Sequence, residues 1–332
     1  MQTRKIIQVE DKVPPRLLVP LSIQHMFAMF GASVLVPFMF GINPAIVLFM
    51  NGIGTLLFIF ITKGKAPAYL GSSFAFIAPA TMVIDKWGYE YALGGFVVVG
   101  AIGCVLAAVI YKCGTRWIDI VLPPAAMGPV VALIGLELAG SAASTGQIVG
   151  DSVTTASVIT FCVTLGVAVL GSVLFRKFLS VIPILIAILC GYAAGLVTEA
   201  FAGEHTIRDG IVAALQQPLF QLPNFQAPKF NLEAILIILP VILVIANEHI
   251  GHQLVTSKVV GRDLLRDPGL HRSLFADNFS TMLSGFIGSV PTTTYGENIG
   301  VMAITRVYSV RVIGGAAVLS IICSLVGPLA GL

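Results

Sequence analysis

The sequence carries little charge for its length. Only 11% of its 332 residues are Asp, Glu, Lys or Arg, whereas soluble domains carry about 25%. So few charged side chains do not cover a globular surface, which excludes a water-soluble enzyme. Hydrophobic residues make up 57% of the chain, and the mean hydropathy is +0.96. Because only helices and closed barrels satisfy their backbone in lipid, we predict a polytopic α-helical membrane protein.

Cysteines and nucleotide-binding motifs are also scarce. The five cysteines show no pairing pattern, so we expect them to behave as small hydrophobic residues. The sequence contains no glycine-rich phosphate loop of the P-loop type, so the energy for any transport would come from an ion gradient. Basic residues are dispersed along the chain, which indicates no nucleic-acid partner.

Apolar stretches of about 20 residues, the length that crosses a bilayer, predict eleven spans. The predicted spans are 17–40, 43–62, 69–84, 91–111, 118–142, 152–175, 179–199, 234–256, 272–290, 294–305 and 308–331. The segment before the first span is polar, and that span is too long for the apolar region of a signal peptide. We therefore expect no cleavable signal.

Basic residues fall mainly on one side of these spans. If the N-terminus is cytoplasmic, only Lys86, Arg208 and Lys229 lie outside, and the other 16 of the 19 Lys and Arg residues lie inside. This asymmetry predicts a multi-pass membrane protein with a cytoplasmic N-terminus. The one long connection is predicted to be an outer loop with an extended or strand-bearing stretch at 216–230.

Two predicted spans are short, polar and interrupted by glycine. The third begins YLGSSFAF at residue 69, and the tenth begins TTYGENIG at residue 293. They hold equivalent places in two sets of spans separated by three others, which gives a repeat of seven spans whose second copy is inverted. Paired broken helices in inverted repeats mark the central site of a transporter. The alternative is a pair of structural re-entrant loops, which would not explain Glu297.

Ionisable residues inside the predicted spans point to a site. Glu248 and His252 lie one helical turn apart in the eighth span, with His249 about 100° round the helix. Their chemistry fits a ligand site coupled to protons, or a metal site. The order Glu-His-x-x-His differs from the His-Glu-x-x-His of metalloproteases, which disfavours the metal. Asp277, near the start of the ninth span, is expected to be solvated at the inner surface.

Several motifs together resemble one family. Residues 297–306, ENIGVMAITR, fit the signature (Gln/Glu/Pro)-Asn-x-Gly-x-x-x-x-Thr-(Arg/Lys/Gly) of the nucleobase–ascorbate transporter (nucleobase:cation symporter) family. The Gln24-His25 pair, the Ser72-Ser73-Phe74 run and residues 248–252 are also similar to their counterparts in its uracil branch. The motifs occur in order over nearly the whole chain, so the sequence is identified as a member of that family.

The resemblance implies a substrate and a set of site residues. The substrate would be uracil, held by carboxylates that accept from its N–H groups and by backbone N–H groups that donate to its carbonyls. The implied substrate-binding residues are Glu248, Glu297, Phe74, Gly296 and Tyr295; His252, Glu248 and Glu297 would carry proton coupling, and His25 and Ser73 would support the site. No cofactor and no metal are implied.

The resemblance also implies the fold, an all-α inverted-repeat transporter of the 7+7 type with two short strand and half-helix segments. Residues 1–112 and 234–332 would form a core domain, residues 113–200 part of a gate domain, and residues 201–233 the outer loop. The family has fourteen spans, so three gate spans would be absent from these eleven. Dimerisation through the gate is the family's habit, which the absence of those spans puts in doubt here.

The function that the resemblance implies is proton-coupled uracil uptake across the bacterial inner (cytoplasmic) membrane by alternating access. Protons, uracil and the lipid bilayer would be the partners, and no enzymatic activity is expected. Two alternatives stay open on sequence grounds. One is a purine, ascorbate or anion carrier on the same architecture. The other is an intramembrane metal-dependent enzyme that uses Glu248, His249 and His252.

Overall fold

The computed structural model describes residues 6–114, 127–150, 153–176, 179, 182–202 and 206–328. The chain divides into two compact units, Met1–Val131 with Leu222–Leu325, and Ala132–Gln221 with Val326–Leu332. Up to residue 145 the elements are α1 (Pro15–Ala28), α2 (Phe30–Met39), α3 (Pro44–Ile61), β1 (Leu70–Ser72), α4 (Ile77–Trp87), α5 (Tyr89–Cys113) and α6 (Met127–Thr145). The later elements are α7 (Thr155–Leu174), α8 (Pro183–Ala202), α9 (Thr206–Leu215), α10 (Leu232–Ile238), α11 (Val241–Val260), α12 (Leu270–Ile287), β2 (Thr292–Thr294), α13 (Gly296–Thr305) and α14 (Val310–Leu325).

Local sequence signals explain where several helices begin and end. Asn43 accepts a hydrogen bond from the amide of Ala45 at 2.8 Å and caps α3, whose first residue is Pro44. Pro240 separates α10 from α11, because proline lacks the amide that would continue the helix. α11 ends at Gly261, which has a φ of +76° in the left-handed region that favours glycine.

The centre of the first unit is a pair of short strands. β1 pairs antiparallel with β2 in the register Leu70 with Thr294, Gly71 with Thr293 and Ser72 with Thr292. A 3₁₀ turn (Phe74–Phe76) leads from β1 into α4, and β2 leads directly into α13. Each predicted broken span is therefore a strand followed by a half-helix, and the antiparallel pairing is the orientation that two inverted copies require. The predicted inverted-repeat fold is confirmed.

Helices α5 and α12 pack closely through glycines. A Cβ atom at Gly100 would lie 2.5 Å from the backbone nitrogen of Met282, and one at Gly103 would overlap the side chain of Asn278. On the other helix, a Cβ at Gly285 would lie 2.8 Å from the carbonyl oxygen of Leu93. Small residues allow helix backbones to approach, which is how helices associate where lipid removes the hydrophobic drive.

A second contact joins α14 to α1 and α3. The hydroxyl of Ser22 on α1 donates to the carbonyl of Val312 at 2.9 Å, and Ser320 on α14 donates to the carbonyl of Leu48 at 2.8 Å. Both serines are buried, so one hydroxyl of α1 and one of α14 join the three helices in this part of the first unit.

In the second unit α7 packs against α8, and α8 packs against α9. Thr154 and Ser157 form a reciprocal capping box at the start of α7. Helix α9 corrects the sequence prediction of an outer loop over 201–233, in which only 216–230 was expected to be extended or strand-bearing. Its start is stabilised by Glu199 of α8, which accepts from the amide of Ile207 at 2.7 Å, and sequence spacing gives no sign of such a contact. Residues 216–231 contain a turn and bends and form neither helix nor strand.

Six helical stretches within the described residues are long and apolar enough to cross a membrane. They are Pro15–Met39, Pro44–Ile61, Tyr89–Cys113, Thr155–Leu174, Pro183–Ala202 and Leu232–Val260. The shorter Val310–Leu325 is also apolar, and the first part of the predicted span 118–142 lies outside the described residues. These helices support a multi-pass membrane protein.

Candidate functional site

Helix α11 carries the ionisable residues of the site. It packs against β2, the 3₁₀ turn and α13, so its side chains face both broken segments. Glu248 and His252 are one turn apart on this helix, and both are partly buried. His249, on an adjacent face of α11, is fully buried.

The two half-helices begin without side-chain caps. Ser73 precedes the 3₁₀ turn and Tyr295 precedes α13, and neither makes a side-chain hydrogen bond to the helix that it starts. The first N–H groups of a helix have no partner within the helix, and they favour anions and hydrogen-bond acceptors. Two uncapped N-termini at one strand pair therefore present backbone donors to whatever binds there.

Two aromatic residues lie beside these N-termini. The rings of Phe74 and Tyr295 meet edge to face, with centroids 6.2 Å apart and planes at 74°. The hydroxyl of Tyr295 donates to the carbonyl of Ser72 at 2.6 Å, which ties the start of α13 to β1. The predicted residues Phe74, Tyr295 and Gly296 are thus brought to one place.

The two predicted carboxylates lie on the same side of this unit. Glu248 and Glu297 are close enough for their charges to interact, and Tyr295 is within electrostatic range of both. Glu297 and Gly296 are exposed, whereas Glu248 is partly buried. The arrangement combines two acceptor carboxylates with the donors of a half-helix N-terminus.

His252 connects α11 to both β2 and α13. Its Nδ1 lies 3.2 Å from the hydroxyl of Thr294. Its Nε2 lies 3.5 Å from the position that a Cβ would take at Gly296, so this nitrogen faces the start of α13. The ring therefore has one nitrogen in the polar interior and one at the candidate site.

The structure corrects the expectation for Asp277. It is not solvated at the inner surface but 1% exposed, and its Oδ2 lies 3.3 Å from Nδ1 of His249. The Nε2 of His249 lies 3.0 Å from the hydroxyl of Ser273. A buried carboxylate needs a partner, and α11 supplies it. His249 thus contacts α12 through both ring nitrogens.

The two residues predicted to support the site, His25 and Ser73, are both buried. His25 is buried in α1, and its backbone carbonyl accepts from the side-chain amide of Asn298 at 3.4 Å. Ser73 is buried and donates its amide to the carbonyl of Pro291 at 2.8 Å. Among the described residues the hydroxyl of Ser73 and Nδ1 of His25 have no hydrogen-bond partner.

Sequence reasoning missed Asp277 and Thr294 as parts of this network. The signal that could have found Asp277 is the polar spacing in the ninth span, where Ser273, Asp277, Ser280 and Ser284 fall on one helical face. A polar face on a membrane helix points to the protein interior rather than to its surface. Within the described residues, no group of three His, Cys, Asp or Glu side chains is arranged to hold a metal ion.

Comparison with known proteins identifies the family of this chain. A family model described as "Permease family" matches residues 16–332. The chain belongs to this permease family. The chain is 55% identical over 331 residues to the uracil permease of Escherichia coli (strain K12), covering 99% of this chain and 75% of that protein. It is 41% identical over 341 residues to the uracil permease of Bacillus subtilis (strain 168), covering 100% of this chain and 77% of that protein.

The fold of this permease also has a solved counterpart. The transmembrane domain of the cyanobacterial bicarbonate transporter BicA superposes with a TM-score of 0.61, covering 98% of this chain and 89% of the other. The two sequences are 13% identical, so the likeness extends to the fold alone. It supports an inverted-repeat membrane fold built around two half-helices.

Proposed function

We propose that this permease takes up uracil across the bacterial inner membrane together with protons. One observation carries the proposal: two uncapped half-helices and two carboxylates, Glu248 and Glu297, meet at one antiparallel strand pair. Relatives of 41–55% identity that are named uracil permeases support the choice of substrate.

The chemistry of uracil matches these groups. Uracil is a flat ring with N–H donors flanked by carbonyl acceptors, so Glu248 and Glu297 would accept from its nitrogens. Backbone N–H groups at Phe74 and Gly296 would donate to its carbonyls, and Tyr295 would pack beside the ring. A ligand without the N–H groups would leave a buried carboxylate unpaired, which disfavours it strongly.

Proton coupling would use the same residues. A carboxylate at membrane depth is costly when it is charged and unpaired, so proton binding and substrate binding at Glu248 and Glu297 are linked. His252 lies against both Thr294 and Gly296. Gain or loss of a proton on its ring would therefore change the charge directly beside the site. His25 and Ser73 would support the site from α1 and β1.

The transport cycle would be alternating access. In this proposal the site-bearing first unit is the core, and it moves as a rigid body against the gate to which the second unit belongs. The N-terminus would be cytoplasmic, as the distribution of basic residues predicts. Dimerisation through the gate stays a prediction.

Labelled uracil and proteoliposomes test the proposal. Uracil uptake should require an inward proton gradient and should collapse when a protonophore is added. Glu248→Gln should abolish both binding and uptake, because the amide places N–H donors where uracil also has donors. The matched control is Glu233→Gln, at a surface glutamate whose side chain is 71% exposed, and it should keep wild-type binding.

Two results would reject parts of the proposal. Uptake that persists in full with the protonophore would remove proton coupling. Wild-type uracil affinity in Glu248→Gln would remove the assignment of the site. A competition panel with purines, ascorbate and inorganic anions identifies the substrate if uracil itself does not bind.

A further inference from the structure

A chain of buried polar contacts runs from α12 to His252. It starts at Ser273, whose hydroxyl donates to the carbonyl of Leu270 at 3.1 Å. Because that bond uses the only hydroxyl proton, the oxygen of Ser273 is left to accept from Nε2 of His249 at 3.0 Å. The contact therefore assigns a proton to Nε2 of His249.

The other nitrogen of His249 is engaged by Asp277. Nδ1 lies 3.3 Å from Oδ2 of Asp277, and the two side chains are 0% and 2% exposed. With Nε2 protonated, one further proton lies between Nδ1 and the carboxyl group, and the pair is then neutral as a whole. A net charge at this depth is costly, so the pair keeps that proton.

Thr294 lies between the two histidines. Its hydroxyl is 3.5 Å from Nδ1 of His249 and 3.2 Å from Nδ1 of His252. Since Asp277 already occupies Nδ1 of His249, the hydroxyl proton of Thr294 is free for the shorter contact. His252 then accepts at Nδ1, and a neutral ring carries its own proton on Nε2.

We propose that Asp277 and His249 are positioning residues that set the tautomer of His252 through the hydroxyl of Thr294. The result is an N–H group at Nε2, the nitrogen that faces Gly296 and the start of α13. At that place it donates to a substrate carbonyl or to a site carboxylate. This use of the N–H group rests on the uracil function proposed above, whereas the tautomer itself does not.

The surrounding titratable groups define the pH dependence. Glu248 lies on α11 itself, Tyr295 and Glu297 lie at the start of α13, and Cys104 of α5 is within electrostatic range of Asp277. Without the proton of the Asp277–His249 pair, Nδ1 of His249 competes for the hydroxyl of Thr294. The tautomer of His252 is then no longer fixed.

The direct test is ¹⁵N NMR of the histidine rings in the intact protein, with the His252 signals assigned through His252→Gln. The wild type should show the proton on Nε2 of His252. Thr294→Val, which keeps the shape and removes the hydroxyl, should lose this single tautomer, and Thr294→Ser should keep it. A proton on Nδ1 in the wild type, or an unchanged tautomer in folded Thr294→Val, would overturn the proposal.

Uracil affinity measured against pH gives a second readout. Thr294→Val and Asp277→Leu should each weaken binding about tenfold and shift the pH profile in the same direction. The double variant should show no further loss of affinity, because both changes interrupt the same chain of contacts from Asp277 to His252. Asp85→Asn, at an exposed acid on α4, is the control and should keep the wild-type profile.

The failures of the two proposals are distinguishable. Wild-type protein that holds His252 in the Nε2–H form but binds no uracil rejects the uracil function. The proposed chain of contacts from Asp277 to His252 is then still supported. If the wild type binds uracil and folded Thr294→Val shows an unchanged pH profile, only the proposed chain of contacts from Asp277 to His252 is rejected. If Asp277→Leu does not fold, the comparison of Thr294→Val with Thr294→Ser still tests the role of the Thr294 hydroxyl.

Discussion

In the first unit 56% of the apolar stretch of α5 is buried, whereas in the second unit only 6% of the stretch of α7 is buried. The two helices have similar mean hydropathies of 2.6 and 2.2, so composition does not separate them. Their contacts do separate them, because α5 packs on α12 through glycines and α7 exposes residues such as Val169 and Val173. Similar hydropathy therefore accompanies close internal packing of α5 in the first unit and an exposed apolar face of α7 in the second.

Two capped helix N-termini of the second unit contrast with the N-termini of the two half-helices in the first unit. In the second unit Thr154 caps α7 with a capping box, and Glu199 caps α9. In the first unit the half-helices that follow Ser73 and Tyr295 have no side-chain cap. Free backbone donors at membrane depth are costly unless something else binds them. Helices α1, α2, α5 and α12 also begin without a side-chain cap, so the missing caps indicate the binding region only together with the strand pair at which the two half-helices meet.

The largest expected loss of stability comes from a glycine substitution that tests the difference in packing between α5 and α7. Gly103→Leu forces a side chain into Asn278 of α12 and should destabilise the protein by about 3 kcal/mol, or prevent folding. The matched Gly166→Leu in α7 has no atom within 4 Å of the new Cβ and should change stability by less than about 1 kcal/mol. Thermal unfolding in detergent measures both. Equal losses would show that α7 is packed as tightly as α5.

A glutamate exchange compares the polar groups of the two units. Glu297→Gln should weaken uracil binding about 100-fold, because a hydrogen bond to a charged acceptor contributes up to about 3 kcal/mol. Glu199→Gln changes the buried acid of the second unit and should alter affinity less than twofold. Equilibrium binding of labelled uracil to purified protein checks both. A large loss in Glu199→Gln would place binding in the second unit as well.

The sequence predicts the broken spans correctly because glycine and hydroxyl residues cluster at membrane depth mainly where the backbone leaves the helix and lines a protein interior. It also predicts that Glu248 and His252 lie one turn apart, which helical geometry alone decides. It does not identify the partner of Asp277, because the polar face of α12 that includes Ser273 and Ser280 indicates burial but not which helix packs against it. Helix α9 is not predicted for the same reason, since its cap comes from Glu199 on another helix.

The roles assigned to Glu248, Glu297, Phe74, Gly296 and Tyr295 came from the resemblance, and the structure adds their proximity. Thr294 could not be selected from sequence, because it is one of several adjacent threonines. Only the strand register, which places it opposite Leu70, directs its hydroxyl to the two histidines. The positions of such side chains follow from tertiary contacts rather than from pattern.

A capping substitution should sharpen the comparison of N-termini. Thr154→Ala removes a cap from α7 and should cost about 1 kcal/mol of stability. Ser73→Ala removes no capping bond and should cost less than about 0.5 kcal/mol in the absence of substrate. Thermal unfolding of the substrate-free protein measures both. A loss in Ser73→Ala as large as that in Thr154→Ala would mean that its hydroxyl stabilises the half-helix.

The smallest effect should come from an ion pair outside the membrane, which contrasts with the buried Asp277–His249 pair. Glu10 accepts from Nη1 of Arg262 at 2.6 Å, and the side chains are 55% and 41% exposed. This hydrogen bond lowers the pKa of Glu10 below its ordinary value of 4.5. A lowered pKa in the folded state means that the pair stabilises the protein above pH 4.5 and loses this effect as the pH falls through the folded pKa.

Glu10→Gln should therefore cost less than about 1 kcal/mol at neutral pH and nothing in acid, because exposed pairs are screened. Unfolding measured from about pH 7 to about pH 3, at low salt and at about 1 M salt, checks this, and a cost that persists at the lowest pH would exclude the charge as its source.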